Sequence, residues 1–234
     1  MTIAYFLTFH DKATPALRIS DAEHRRVLDI VRTTPRLARG LVLTPWDISG
    51  LYFDDGAPPQ LAFELYFADI ADLEAVLADD GHLQALAAPG ALPSLKAAEV
   101  TQQAMLARAF PVPDARFRTP PGQPFCSYMV HYPGAAEDLN TWLAYYIEHH
   151  PVVMARFPGI REIEIATRID WCGFLPWPRV DYMQRNKVVF DDGPALAAAL
   201  KSPVMQEMRA DFHKFPPFTG GNVHFPMATV EIRP

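Results

Sequence analysis

Cysteine is scarce: the 234 residues contain only Cys126 and Cys172, which are not in C-x-x-C spacing. Two such residues cannot build a disulfide framework, so reduced thiols in a reducing compartment are expected unless the fold brings them together. Clustered positive charge is also missing. A formal net charge of −6 without a Lys/Arg stripe leaves no footprint for a polyanion and argues against nucleic acid as a partner. The opening MTIAYFLTFHDK has no basic stretch followed by a long apolar run, and it passes directly into strand-like alternation. The chain is therefore read as cytoplasmic, with no membrane partner. G-x-G-x-x-G, G-x-x-x-x-G-K-[ST] and G-x-S-x-G are absent, as are H-x-x-x-H and H-x-H. Nucleotide binding, serine hydrolase chemistry and a resident metal consequently have no support.

What is present is an ordinary core. Half of the residues are hydrophobic and 21% are charged, as in globular proteins. Folding a chain of this length removes roughly 70–75% of its surface from water. Twenty-three prolines exceed the usual share, and they concentrate in PVPDARFRTPPGQP at 111–124, where ring-fixed φ and missing donors break both helices and ladders. This divides the chain into an N-terminal unit over 1–112, a linker over 113–124 and a C-terminal unit over 125–234.

The two units repeat each other. Tyr5 and Tyr128, Pro35 and Pro158, Phe67 and Phe190, Leu73 and Leu196, Leu77 and Leu200, and Val100 and Val223 all stand 123 positions apart. A constant ungapped offset across every element is the mark of an internal repeat. The first unit reads as strand 3–10, helix 20–34 capped by Ser20 with Glu23 three residues on, strands 37–44 and 60–67, a helical region 70–88 and strand 98–110. The second reads as strand 126–132, helix 137–157, strands 160–168 and 180–190, helices within 193–213 and strand 222–232. The fold class is thus α+β: two tandem ferredoxin-like βαββαβ units, each a four-stranded antiparallel sheet with helices on one face. Packing sheet against sheet buries the bare faces and gives, within one chain, the barrel that a one-unit protein makes by dimerising.

In the second unit, YYIEHHPVVMARFPGI at 145–160 resembles the signature segment of the EthD-like family of the dimeric α+β barrel superfamily, roughly Tyr-Tyr-x-x-x-His-x-Pro-Leu followed by an apolar-Pro-Gly turn. His150 stands nine residues before Gly159, as the family's histidine does before its glycine, and Phe157-Pro158-Gly159 matches the turn. Pro151 departs from the pattern by following the histidine directly. LKSPVMQEMRADFHKF extends the resemblance through Ser202, Pro203, Asp211 and Phe215. The first unit shares only the fold pattern, with Arg26 and Val27 where the second has His149 and His150. The resemblance implies a superfamily that includes cofactor-independent isomerases of muconolactone type, polyketide cyclases, dehydratases and oxygenases acting on small rings, with haem-binding cousins.

On a helix, Leu143, Tyr146, His150, Met154 and Phe157 form one stripe facing the sheet. His150 then sits where a cavity could hold an apolar ring, and an imidazole beside a phenol suits acid/base work near neutral pH. The competing reading is that His150 only caps a kink at Pro151. Tyr146, His149 and His131 are the expected companions that orient the substrate or polarise an oxygen, although Tyr146 also reads as core packing. His149 lies roughly 100° around the helix, toward the rim. His131 and His224, in the first and last strands of the unit, could each point into the cavity. Trp171, Phe174 and Trp177 in RIDWCGFLPWPRV form either a lid or a packing surface for the first unit or a second chain. Cys172 reads as a packing residue, and Asp54 and Asp55 as solvated turn residues.

The expected function is cofactor-free isomerase, dehydratase or cyclase chemistry on a lactone or aromatic ring, with a cofactor-free oxygenase in the same class. His150 would be the acid/base, and Met154, Phe157, Trp171, Phe174, Trp177 and His224 would contact the substrate. The rivals are a non-catalytic binder of a small hydrophobic molecule and a haem-binding oxidoreductase relative. A homo-oligomer is expected only if exposed aromatic loops pair.

Overall fold

The computed structural model describes residues 2–48, 55–120 and 122–234. The first half runs β1 (Thr2–His10), α1 (Asp21–Arg32), β2 (Arg39–Pro45), β3 (Leu61–Phe67), α2 (Ile70–Val76) and β4 (Glu99–Phe110). The second runs β5 (Phe125–Tyr132), α3 (Leu139–Met154), β6 (Ile160–Arg168), β7 (Gln184–Phe190), α4 (Gly193–Leu200), α5 (Val204–Phe212) and β8 (Val223–Ile232).

The eight strands close into one antiparallel barrel in the order β1-β3-β2-β8-β5-β7-β6-β4. Each half contributes four neighbouring strands, and the outer strands join across the halves, β2 to β8 and β4 to β6. Among the described residues, closure leaves no barrel strand with an edge open to pairing with another chain. The halves share register as well as order: Tyr5 faces Leu65 in β1–β3, and Tyr128 faces Val188 in β5–β7, each partner 123 residues on.

Strand alternation then sorts the core into three layers. Tyr5, Leu7, Phe63 and Leu65 point outward under the first half's helices, and Tyr128, Val130, Ile163 and Val188 do so under the second half's. The residues between them, among them Phe6, Leu41, Met105, Met129 and Met227, fill the barrel interior. At its centre lies a charged cluster, in which the buried Lys187 ammonium approaches Glu64 at 2.7 Å, Glu162 at 3.3 Å and Glu164 at 3.7 Å.

Local rules explain most elements. Ser20 and Glu23 form the expected capping box on α1, with Glu23 N–H donating to Ser20 Oγ at 3.2 Å and Ser20 N–H to Glu23 Oε2 at 2.7 Å. α3 runs through Pro151 without ending, because its buried face, from Trp142 to Met154, is held by the sheet. Two expectations are corrected. The helical region 70–88 breaks after Val76 and resumes as a 3₁₀ turn at His82–Leu86; Asp79-Asp80-Gly81 turns the chain so tightly that a Cβ at Gly81 would lie 2.5 Å from the Val76 carbonyl oxygen. β7 begins at Gln184 instead of 180, since the chain before it is bound to β4: Gln102 N–H donates to Pro178 O and Val180 N–H to Gln102 O.

Candidate functional site

A cavity of about 200 Å³ opens between the second half's sheet and its helices. Its floor is Tyr128, Val130 and Tyr132 of β5 with Asn186, Val188 and Phe190 of β7; its walls are His150 and Met154 of α3, Phe157 in the turn after it, Leu196 and Leu200 of α4, and Met205, Met208 and Phe212 of α5. Asn222 and His224 close one side. The lining is apolar with a few polar groups, the usual character of a small-molecule site.

His150 is the best-anchored of these groups. Its Nδ1 lies 2.6 Å from Asp211 Oδ2, a residue of α5 sixty-one positions away, and its ring packs against Phe215 at 4.9 Å and Tyr146 at 4.7 Å. The carboxylate fixes Nδ1 as the donor and leaves Nε2 as the basic nitrogen. Burial lowers the His150 pKa below its ordinary 6.5, with Asp211 partly offsetting it, so the ring is neutral at pH 7. For Asp211, burial pushes the carboxyl up, but the bonds from His150 and from Tyr145, whose hydroxyl donates to Oδ1 at 3.1 Å, outweigh it and hold the pKa below its ordinary value. His150 is therefore more than a cap on the Pro151 kink. It is an anchored imidazole on a cavity wall.

The other expected residues separate by location. Met154, Phe157 and His224 line the same cavity. Tyr146 is fully buried behind it, its hydroxyl accepting from Asn186 Nδ2 at 2.6 Å within a ring cluster containing Trp142 and Tyr132. His149 is exposed; Nδ1 donates to the Tyr145 carbonyl at 2.9 Å and the ring stacks on Tyr145 at 4.3 Å. His131 lies on the opposite face of β5, inside the barrel, 3.5 Å from Arg185 Nη1, and burial drives its pKa well down. The alternation that aims Val130 and Tyr132 at the cavity aims His131 away from it.

The aromatic loop packs on the first half instead of covering the cavity. Trp171 meets Tyr5 edge-on at 5.7 Å, Trp177 meets Phe9 at 5.2 Å, and Leu175 is buried in that core. Phe174 is exposed. Cys172, expected to pack, is exposed too, with its backbone N–H on Glu74 Oε1. Asp55 is likewise corrected: it is no solvated turn residue but bonds His224 Nδ1 at 2.6 Å, while Asp54 lies outside the described residues. Sequence reasoning placed Asp211 only within a motif and missed Asp55, Tyr128 and Asn186. Tyr128 stood at a repeated position, but nothing local marked any of them as cavity residues.

Among the described residues no group of three or more His, Cys, Asp or Glu side chains gathers to hold a metal ion, and no helix is long and apolar enough to cross a membrane. Pockets for drug-sized ligands run to roughly 300–1,000 Å³, so this cavity suits one or two rings.

Barrel, register and helix layers together define the dimeric-type α+β barrel fold, closed within one chain. Solved structures share it. An anthrone oxidase-like protein matches at a TM-score of 0.62 with 11% identity, covering 99% of this chain and 92% of that one. A "putative monooxygenase" from Fusobacterium nucleatum matches at 0.57 with 9% identity, covering 99% and 94%. A second protein so described, from Lactobacillus acidophilus NCFM, matches at 0.52 with 10% identity, covering 100% and 97%. At these identities the likeness is one of fold. No protein-family model matches the sequence, and no curated protein does.

Proposed function

We propose that the protein is a cofactor-independent enzyme that moves protons on a small lactone or aromatic ring compound, with His150 as the base. The observation that carries this reading is the His150–Asp211 pair at 2.6 Å on the wall of an apolar cavity. A neutral imidazole whose far nitrogen is tied to a carboxylate is ready to accept a proton, and general acid/base assistance of this kind is worth about 10²–10⁴-fold. The apolar walls from Met154 to Phe212 hold the ring and exclude water. Tyr146, behind the cavity, accepts from Asn186 of the floor and fixes its side chain. The EthD-like resemblance of 145–160 agrees with this placement, since its histidine and its downstream Asp211 and Phe215 meet here. A cytoplasmic setting belongs to the same proposal, supported by unpaired Cys126 and Cys172.

The test is solvent deuterium uptake into acidic C–H positions of a panel of butenolides, 2-tetralone and substituted phenols, followed by NMR with wild type and His150→Gln. Uptake by wild type that the variant loses is the expected result. Ligand binding without uptake by either protein would instead indicate a non-catalytic binder. A second reading has the deprotonated ring react with dioxygen, and the names of the anthrone oxidase-like and monooxygenase neighbours favour it. Oxygen consumption with the same panel separates the two.

A further inference from the structure

The cavity carries a second imidazole–carboxylate pair, and it spans the two halves. His224 stands near the start of β8, facing the helix layer, while its neighbours Val223 and Phe225 belong with the barrel interior. Asp55, from the chain between β2 and β3, grips it twice: Oδ2 accepts from His224 Nδ1 at 2.6 Å and from its backbone N–H at 2.9 Å. The imidazole stacks on Tyr128, with ring centroids 5.5 Å apart and planes 23° from parallel. Asn222 Nδ2 stands 3.4 Å from Nε2. Tyr128, Asn222 and His224 all line the cavity, and the buried Tyr128 hydroxyl has no hydrogen-bond partner among the described residues.

We propose that His224, clamped by Asp55, is the second proton-transferring residue of this pocket, acting on the ligand's oxygen while His150 acts on carbon. The inference rests on the proton-transfer reading above, and it narrows the substrate to a ring ketone or lactone with an enolisable C–H next to the oxygen-bearing carbon. In the forward step His150 Nε2 takes the C–H proton. The C–H electron pair becomes the new C=C bond, and the C=O π pair moves to oxygen, which receives the proton carried on His224 Nε2. His150 is then the imidazolium and His224 the neutral ring. Return of the oxygen's proton to His224, with delivery of the His150 proton to the far carbon of a conjugated enol, restores both residues and completes an isomerisation without any co-reactant. Asp55 is a positioning residue, so the catalytic unit draws on both halves of the chain.

The full-length protein is tested with 2-tetralone as substrate probe, and with 2-naphthol, which resembles its enol, against naphthalene as binding probes. His224→Gln is expected to slow deuterium uptake into 2-tetralone about 100-fold with KM little changed, and to cut the preference for 2-naphthol over naphthalene about tenfold, one hydrogen bond's worth. Asp55→Asn should follow it and Asp55→Glu should recover part of the rate, with His224→Asn and thermal melts guarding against misfolding. His224→Gln with wild-type uptake and wild-type preference overturns the proposal, as does a wild type that binds 2-naphthol no better than naphthalene. If His150→Gln proves silent while His224→Gln loses uptake and preference, the base assignment fails and the His224 role stands.

Discussion

Glu64 and Lys187 stand 123 residues apart, at the same place in the two halves, and their side chains meet at 2.7 Å inside the barrel. Arg39 and Glu162 repeat the relationship, also 123 apart, with guanidinium nitrogens 3.0 and 2.9 Å from the carboxylate oxygens. In a barrel made from two identical chains, a residue beside the two-fold axis meets its own copy and so a like charge. Joining the halves in one chain lets equivalent positions differ, and here they carry opposite signs. Tyr66, bonded to Lys187 Nζ at 2.6 Å, lies within 2.8 Å of Glu64 and Glu164 and completes the cluster.

This pairing predicts coupled losses of stability. Glu64→Gln or Lys187→Met alone should lose on the order of 3–5 kcal/mol, because each leaves a buried partner uncompensated. The double variant Glu64→Gln, Lys187→Met should cost less in urea unfolding than the sum of the two single effects. Full additivity of the two single effects in that double variant would mean that the pair is not coupled.

Acid stability follows from Glu162. Burial raises its pKa, but Lys187 and Arg39 outweigh burial and bring it down to about 2. A depressed carboxylate contributes stability above its unfolded value, near 4.5, that is lost as pH falls toward 2. The contribution is on the order of 3 kcal/mol. Glu164, raised by burial, works in the opposite sense. Glu162→Gln should therefore flatten the fall in unfolding free energy between pH 4.5 and 2, and an unchanged slope would assign that loss to other carboxylates.

For His150 the sign is the same as for Glu162, in a higher pH window. Burial holds its folded pKa below 6.5, so the unfolded chain takes up the proton first, and the associated stability is lost as pH drops from about 6.5 toward the folded value. The same shift places the acid limb of kcat/KM below pH 6.5. Asp211→Asn should reduce kcat about 100-fold and move that limb lower still, since a raising influence is removed. His149→Ala, altering an exposed ring, should leave both rate and limb where they were; a displaced limb in that variant would reassign the titration.

Gln102 secures the aromatic loop. Its side chain accepts from Tyr5 at 2.6 Å and donates to Trp177 O at 2.5 Å, while its backbone pairs with Pro178 and Val180. Gln102→Ala leaves the buried Tyr5 hydroxyl and loop carbonyls unmatched, a cost of about 1–3 kcal/mol for such groups. Faster proteolysis within 171–180 at an unaltered cavity affinity is the expected signature, whereas lost ligand binding would tie the loop to the site.

Element order, the 123-residue offset and the buried stripe of α3 were legible in the sequence because they are local or periodic. Side-chain period and turn chemistry report which face of an element leaves water, and Ser20, Glu23, Tyr146 and His150 obeyed those rules. The partners of that stripe were not legible. Asp211 lies 61 residues from His150 and Asp55 lies 169 from His224, and no periodicity links such positions. His131 shows the limit within one strand: alternation says that it faces opposite to Val130, but only closure of the barrel decides which face becomes the interior. Trp171 and Trp177 needed cover on chemical grounds alone, yet whether cavity or first-half core supplied it depended on the Gln102 backbone capturing 178–180. Sequence by itself determined an α+β chain with a histidine on a buried helix face; tertiary structure alone decided which carboxylate that histidine meets, because register and closure bring distant residues together only after every strand is in place.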